Sequence, residues 1–302
     1  MSRMSRILPI LLVTTWTLPV CAGEEPQQKN GSEFTRLVRD KKEAPVALEA
    51  AIVKYTPREA GTDGVVVDLV SAVNVAESSY FEELNRRFKD YDVVLYELVA
   101  PEGTVIPKGG AKKGGSAVSM VQTTMTQALK LEFQLNGIDY TAENFVHADM
   151  TPQQFSDSMN ERGETFFKTL FRMLGHAMSQ QGNATNAGGD VRLLFALFSK
   201  DRAMALKRVL AEEFENVEGS LGAINGPDGS TLITERNKVA LDVLRQQIAA
   251  GHKKIAIFYG AGHMYDFEKR LQDDFSLVPA QTTWLTAWDL TGNESRSQRE
   301  AD

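Results

Sequence analysis

Val65–Ser78 reads VVVDLVSAVNVAES, and its layout decides the fold class. Five of its first six residues are apolar and β-branched or leucine, as a buried strand requires, and the chain then breaks into small residues that end on polar Asn74. Lys253–Leu271, KKIAIFYGAGHMYDFEKRL, repeats that layout. There Gly260, Ala261, Gly262 and His263 stand where the first stretch has Ser71, Ala72, Val73 and Asn74. Each unit reads as strand, tight turn and helix, the building block of an α/β chain.

Working outward, strands are expected at Ala47–Tyr55, Val65–Val70 and Val93–Val99, with a helix at Ser79–Phe88 crossing between parallel strands. PKGGAKKGGSAV lacks phosphate-loop spacing and reads as a solvated loop, followed by a helix at Ala117–Leu135. NFVHADMTPQQF then gives a short strand and a marked helix start: Thr151 caps, Pro152 fits the first helical position and Gln154 completes a capping box. Phe155, Met159, Phe167, Leu170, Phe171, Leu174 and Met178 form the core stripe of that helix. QQGNATNAGGD is a polar linker. Helices are expected at Val191–Phe198, Asp201–Phe214 and Thr231–Ala250, with Gly251 as a stop, and TTWLTAWDL as the last strand.

The start of the chain reads as an address. MSRMSR is basic, ILPILLVTTWTLPV is apolar but short for a span, and small residues precede a cut after Ala22. The expected organisation is a signal peptide at 1–22, a polar arm at 23–45, one α/β domain at 46–290 and a polar tail at 291–302. Export to a periplasmic or extracellular space follows. LPVC also resembles a lipoprotein box, so a lipid anchor at Cys21 is the alternative; no transmembrane span is expected in the mature chain. Cys21 is the only cysteine, which excludes intramolecular disulfides, thiolate zinc sites and a cysteine nucleophile in the domain. A net charge of −7 and dispersed basic residues exclude nucleic acid as an expected partner.

Four residues stand out as chemistry. His263 follows an apolar strand through Gly260 and Gly262, at the carboxyl end where open α/β sheets place ligands; the alternative is a hydrogen-bonded structural histidine. Asn74 ends the first strand in the same way. Glu97 lies inside the apolar run VVLYELVAP, and a carboxylate there must be paired, protonated or coordinated. Arg236 sits near a helix start between Glu235 and Asn237, where an exposed charge is the alternative. His147 and Asp149 lie on one face of a strand, as site members or as packing, while His176 and His252 read as helix-surface residues.

VDLVSAVNVAESSYFEELNRRFKDYDVVLYELVAPEG, TERN and FYGAGHM together resemble the TraB/GumN/Tiki family of hydrolases, distantly related to erythromycin esterases and haem-binding ChaN-like proteins. The resemblance runs from about Phe34 to Leu290. It implies a mixed α/β (α+β) fold: a central mixed sheet flanked by helices, in two pseudo-repeated halves with a site between them. It also implies a G-x-x-H in each half, a glutamate matched by Glu97 and an arginine matched by Arg236. The second G-x-x-H is intact as Gly260 to His263, whereas the first departs, with Ser71 for the glycine and Asn74 for the histidine.

In the Tiki branch, histidines and carboxylates are thought to hold a divalent metal for peptide hydrolysis; the esterase branch is thought to activate water with histidine alone. Asn74 offers only a hard amide oxygen, to which Glu77 adds a carboxylate. The implied metal set is therefore His263, Glu97, Asn74 and Glu77, suited to manganese, cobalt or magnesium, with Glu97, Arg236 and His263 as the catalytic group. Two functions stay open: an exported metal-assisted hydrolase, of the metallopeptidase kind, acting on a peptide or small molecule; or an inactive relative that binds a peptide or haem.

Overall fold

The computed structural model describes residues 33–59, 64–109, 129–164, 199, 201–225 and 229–291. The leader with Cys21, the body of the helix expected from Ala117, the stripe from Phe167 to Met178 with His176, the polar linker, the helix at Val191–Phe198 and most of the tail lie outside the described residues. All described residues belong to one compact unit.

A seven-stranded mixed sheet organises the chain. β2 (Pro45–Pro57) carries β1 (Thr35–Arg39) and β3 (Val66–Ala72) end to end along one edge and β9 (Leu277–Asp289) along the other, all antiparallel to it. From β3 onward the sheet is parallel, through β8 (Lys254–Gly260), β5 (Val93–Tyr96) and β7 (Phe145–His147). A separate two-stranded ladder pairs β4 (Val75–Ala76) with β6 (Glu132–Phe133).

The parallel strands are nearly all apolar because both of their faces are covered. Val70, Ala72, Val94, Tyr96, Ala256 and Phe258 share one core with Tyr80, Phe81, Leu84 and Phe88 of α1 (Ser78–Phe88). The alternate residues Val67, Leu69, Val93, Leu95, Ile255, Ile257 and Tyr259 face the opposite way. They pack with Ala240, Leu241 and Leu244 of α5 (Arg236–Ala249) and with Met264, Phe267 and Leu271 of α6 (Met264–Phe275). The pleat, by sending successive side chains to opposite faces, makes three layers from these short runs. The mixed α/β class expected from the strand–turn–helix units is present.

Local signals explain most boundaries. Thr151 and Gln154 form the capping box that starts α3 (Pro152–Glu161), and Gly251 at φ 98° follows the end of α5. Several expected bounds shift. The strand β1 lies within the segment expected as a polar arm. Glu97 falls one residue beyond β5 rather than inside a strand to Val99. The helix expected to reach Leu135 is interrupted, since Lys130 takes a left-handed φ of 55°, after which β6 and the short α2 (Gln134–Gly137) follow. The helix α4 (Arg202–Asn225) runs past Phe214. Ser276, also left-handed at φ 55°, ends α6 and turns the chain into β9, which starts before Thr282.

Among the described residues no helix is long and apolar enough to cross a membrane.

Candidate functional site

In register, Ala72 of β3 pairs with Gly260 of β8, and Tyr96 of β5 pairs with both Phe258 of β8 and His147 of β7. The residues just beyond these strand ends therefore emerge at one end of the sheet: Asn74, Glu97, Asp149 and the Ala261–His263 turn. Opposite them stands the start of α5, preceded by a π-helical turn at Thr231–Glu235 in which the Ser230 hydroxyl accepts the Ile233 N–H and the Glu164 carboxylate the Thr231 N–H. Wide turns of this kind re-aim the residues that follow them. Here the turn delivers Arg236 and Asn237.

Arg236 is the hub. Its Nε donates to Asp149 Oδ1 at 2.9 Å and its Nη2 to Asp149 Oδ2 at 2.6 Å, the fork geometry that suits a carboxylate. Nη2 also donates to Glu97 Oε1 at 2.6 Å. Nη1 lies 3.5 Å from both the Leu232 carbonyl and His263 Nε2. Burial alone would favour the neutral guanidine, but the hydrogen bonds to Asp149 and the charges of Glu97 and Asp149 outweigh it and hold Arg236 protonated.

Glu97 has its Oε1 3.5 Å from His263 Nε2, while its Oε2 accepts the Gly260 N–H at 2.7 Å. Burial pushes its carboxyl up; the His263 imidazole when charged, the Arg236 guanidinium and the Gly260 N–H together outweigh that and hold it well below the usual carboxylate range. A side chain at Gly260 would bring its Cβ to 3.3 Å from Oε2, so the glycine permits this close approach.

His263 is buried, edge-on to Tyr259 at 5.2 Å between ring centres. Its Nδ1 lies 2.6 Å from Asn237 Oδ1, and Asn237 Nδ2 donates to the His263 carbonyl at 3.0 Å and to Asp266 Oδ2 at 2.9 Å. Tyr259 donates its hydroxyl to the Ala148 carbonyl. Burial, then the charges of Asp149 and Glu97, raise its phenol well above the ordinary value, so it stays protonated.

Glu97, Arg236 and His263, expected to act together, are thus within hydrogen-bonding or near-contact distance of one another. Asn74 is not joined to them. Its side chain is exposed and makes no hydrogen bond among the described residues, while its backbone carbonyl accepts the Gln134 N–H at 2.8 Å. Glu77 is engaged elsewhere, with the buried Lys207 at 2.5 Å. His147 spends Nε2 on the Leu98 carbonyl at 2.6 Å. Asp149 belongs to the cluster, Gly260 joins it through its N–H as well as through the turn expected of it, and Asn237 and Asp266 join it although sequence reasoning gave them no role.

Among the described residues, no group of three or more His, Cys, Asp or Glu side chains is arranged to hold a metal ion. The donors present fit one poorly. Arg236 already supplies the positive charge between Glu97 and Asp149, Glu97 spends both oxygens on protein donors, and Glu77 is committed to Lys207. Compared with models of known families, with curated proteins and with solved structures, the chain matches none of them.

Proposed function

We propose that the chain is an exported hydrolase of the TraB/GumN/Tiki kind, acting on a carbonyl of a peptide or small molecule with His263 as the base. The observation that carries this reading is the position of His263 Nε2, 3.5 Å from both Glu97 Oε1 and Arg236 Nη1, with the other ring nitrogen engaged by Asn237. In the reaction Nε2 takes a proton from water as its oxygen attacks the carbonyl carbon. Glu97, kept ionised, stabilises the imidazolium so formed. Arg236, kept protonated, faces the negative oxygen of the tetrahedral intermediate through Nη1. The imidazolium then returns its proton to the leaving group. No step is assigned to a metal.

One observation favours the second reading, an inactive relative that binds a peptide or haem. Arg236 spends Nε and Nη2 on internal carboxylates and is only 9% exposed, as a structural clamp would be. A panel of activated esters and short peptides, assayed with chelator, separates the readings. Retained hydrolysis that falls on the order of 100-fold or more in His263→Ala supports the base. Loss in chelator with recovery on adding manganese would restore the metal-assisted form, and no hydrolysis of any substrate by the native chain would favour the binding module.

A further inference from the structure

We infer that Asn237 is a positioning residue that keeps the proton of neutral His263 on Nδ1 and its lone pair on Nε2, and that Asp266 holds the Asn237 amide in the orientation this requires. The assignment follows from donors and acceptors. Asn237 is wholly buried, and one end of its amide meets two groups that can only accept, the His263 carbonyl at 3.0 Å and the Asp266 carboxylate at 2.9 Å. That end is the nitrogen. The other end is therefore the carbonyl oxygen, a pure acceptor, and the ring nitrogen 2.6 Å from it must carry a hydrogen. In a neutral imidazole the remaining nitrogen is then the acceptor.

Asp266 is itself fixed. Arg270, one helical turn along α6, donates Nε to Oδ2 at 2.8 Å and Nη2 to Oδ1 at 3.2 Å. The chain Arg270–Asp266–Asn237–His263 so runs from the rim of the site, where Arg270 is 24% exposed, to the buried imidazole. Aspartate at 237 would set a carboxylate against both the Asp266 carboxylate and the His263 carbonyl. Asparagine is the residue of that size that can donate twice and accept once.

Arg236 and Asn237 are consecutive on α5 and so point about 100° apart around its axis. One helix start thereby serves both sides of His263: Arg236 beside Nε2, Asn237 beside Nδ1. The tautomer stands on geometry alone; its consequence for catalysis rests on the hydrolase reading.

The test is nitrogen NMR of the imidazole in the full chain at mildly alkaline pH. Native His263 should show a protonated Nδ1 and an unprotonated Nε2. In Asn237→Ala, and more weakly in Asp266→Ala, the ring should redistribute toward the Nε2–H form. If the hydrolase reading also holds, kcat should fall on the order of 100-fold in Asn237→Ala with KM little changed, as expected when a base presents the wrong tautomer. A native ring protonated on Nε2 overturns the inference even if no variant folds, and so does an unchanged tautomer in folded Asn237→Ala. A native chain that hydrolyses nothing but shows the Nδ1–H form leaves the positioning intact and removes only the proposed reaction.

Discussion

Arg236 grips Asp149 through two parallel hydrogen bonds, at 2.9 and 2.6 Å, with the Asp149 side chain wholly out of solvent. A carboxylate so placed depends on its partner. Removing the guanidinium strands a buried charge, which costs about 3–5 kcal/mol, whereas replacing both partners by apolar side chains of similar size is far milder. We expect Arg236→Ala to lower stability by that amount in urea unfolding and Arg236→Met with Asp149→Leu to recover most of it. Arg236→Lys should fall between, because a point charge cannot make the fork. A loss under ~1 kcal/mol in Arg236→Ala would show that Asp149 does not rely on the clamp.

Gly260 tests the approach of Glu97 separately from the fold. Its φ of −54° is open to any residue, so Gly260→Ala adds no backbone strain; the added Cβ meets Glu97 Oε2 at 3.3 Å and displaces it by a few tenths of an ångström. Stability should change by less than ~1 kcal/mol, while hydrolysis falls on the order of tenfold through misplacement of the carboxylate. Equal activity in Gly260→Ala would remove Glu97 from the reaction.

The carboxyl of Glu97 also sets a pH dependence. Burial opposes its charge, but His263, Arg236 and the Gly260 N–H prevail, so its folded value lies below the ordinary 4.5. A depressed value means the folded state is favoured above 4.5 and loses that contribution as pH falls below it. The urea midpoint of the native chain should therefore drop on acidification below that point, and part of the drop should be missing in Glu97→Gln. Parallel profiles for the two proteins would contradict the assignment.

Asp68 carries the opposite sign. It is buried in β3 with Tyr91 donating at 2.6 Å to Oδ2 and, among the described residues, no hydrogen bond to Oδ1, and burial raises its carboxyl above the ordinary 3.8 despite that donor. A raised value favours the folded state below 3.8, and the contribution is lost as pH rises through the folded value. Asp68→Asn should accordingly gain stability relative to the native chain between acid and neutral pH, as read from urea midpoints. A constant difference across that range would refute the account.

The sheet and its helices are legible in the sequence because their causes are local: the near-continuous apolar run of Val65–Val70, the amphipathic run of Ser79–Phe88, the capping box at Thr151 and the stop at Gly251. Glu97 is legible for the same reason, since a carboxylate in an apolar run signals an absent partner. Which partner is not legible. Arg236 finds Glu97 139 residues away and Asp149 87 residues away, and nothing beside Asp149 marks it as buried and paired rather than packed at a strand end. The break at Lys130 is equally silent, because a left-handed lysine leaves no compositional trace.

Asn74 is where resemblance and geometry part most clearly, and it can be tested alone. It stands two residues beyond Ala72, whose partner Gly260 leads into the His263 turn, yet among the described residues only its backbone is used, by Gln134 at 2.8 Å. An exposed side chain contributes little to folding, so Asn74→Ala should change stability by no more than ~0.5 kcal/mol. If His263 acts as a base without metal, hydrolysis by Asn74→Ala should stay within about threefold of native, against a fall on the order of 100-fold in His263→Ala. A metal bound through the amide oxygen makes the contrary demand: loss of a direct donor should weaken manganese or cobalt binding well beyond the 10–100-fold of an outer contact. Calorimetric titration of manganese into both chains decides it, because tight native binding that Asn74→Ala abolishes would return Asn74 to the site.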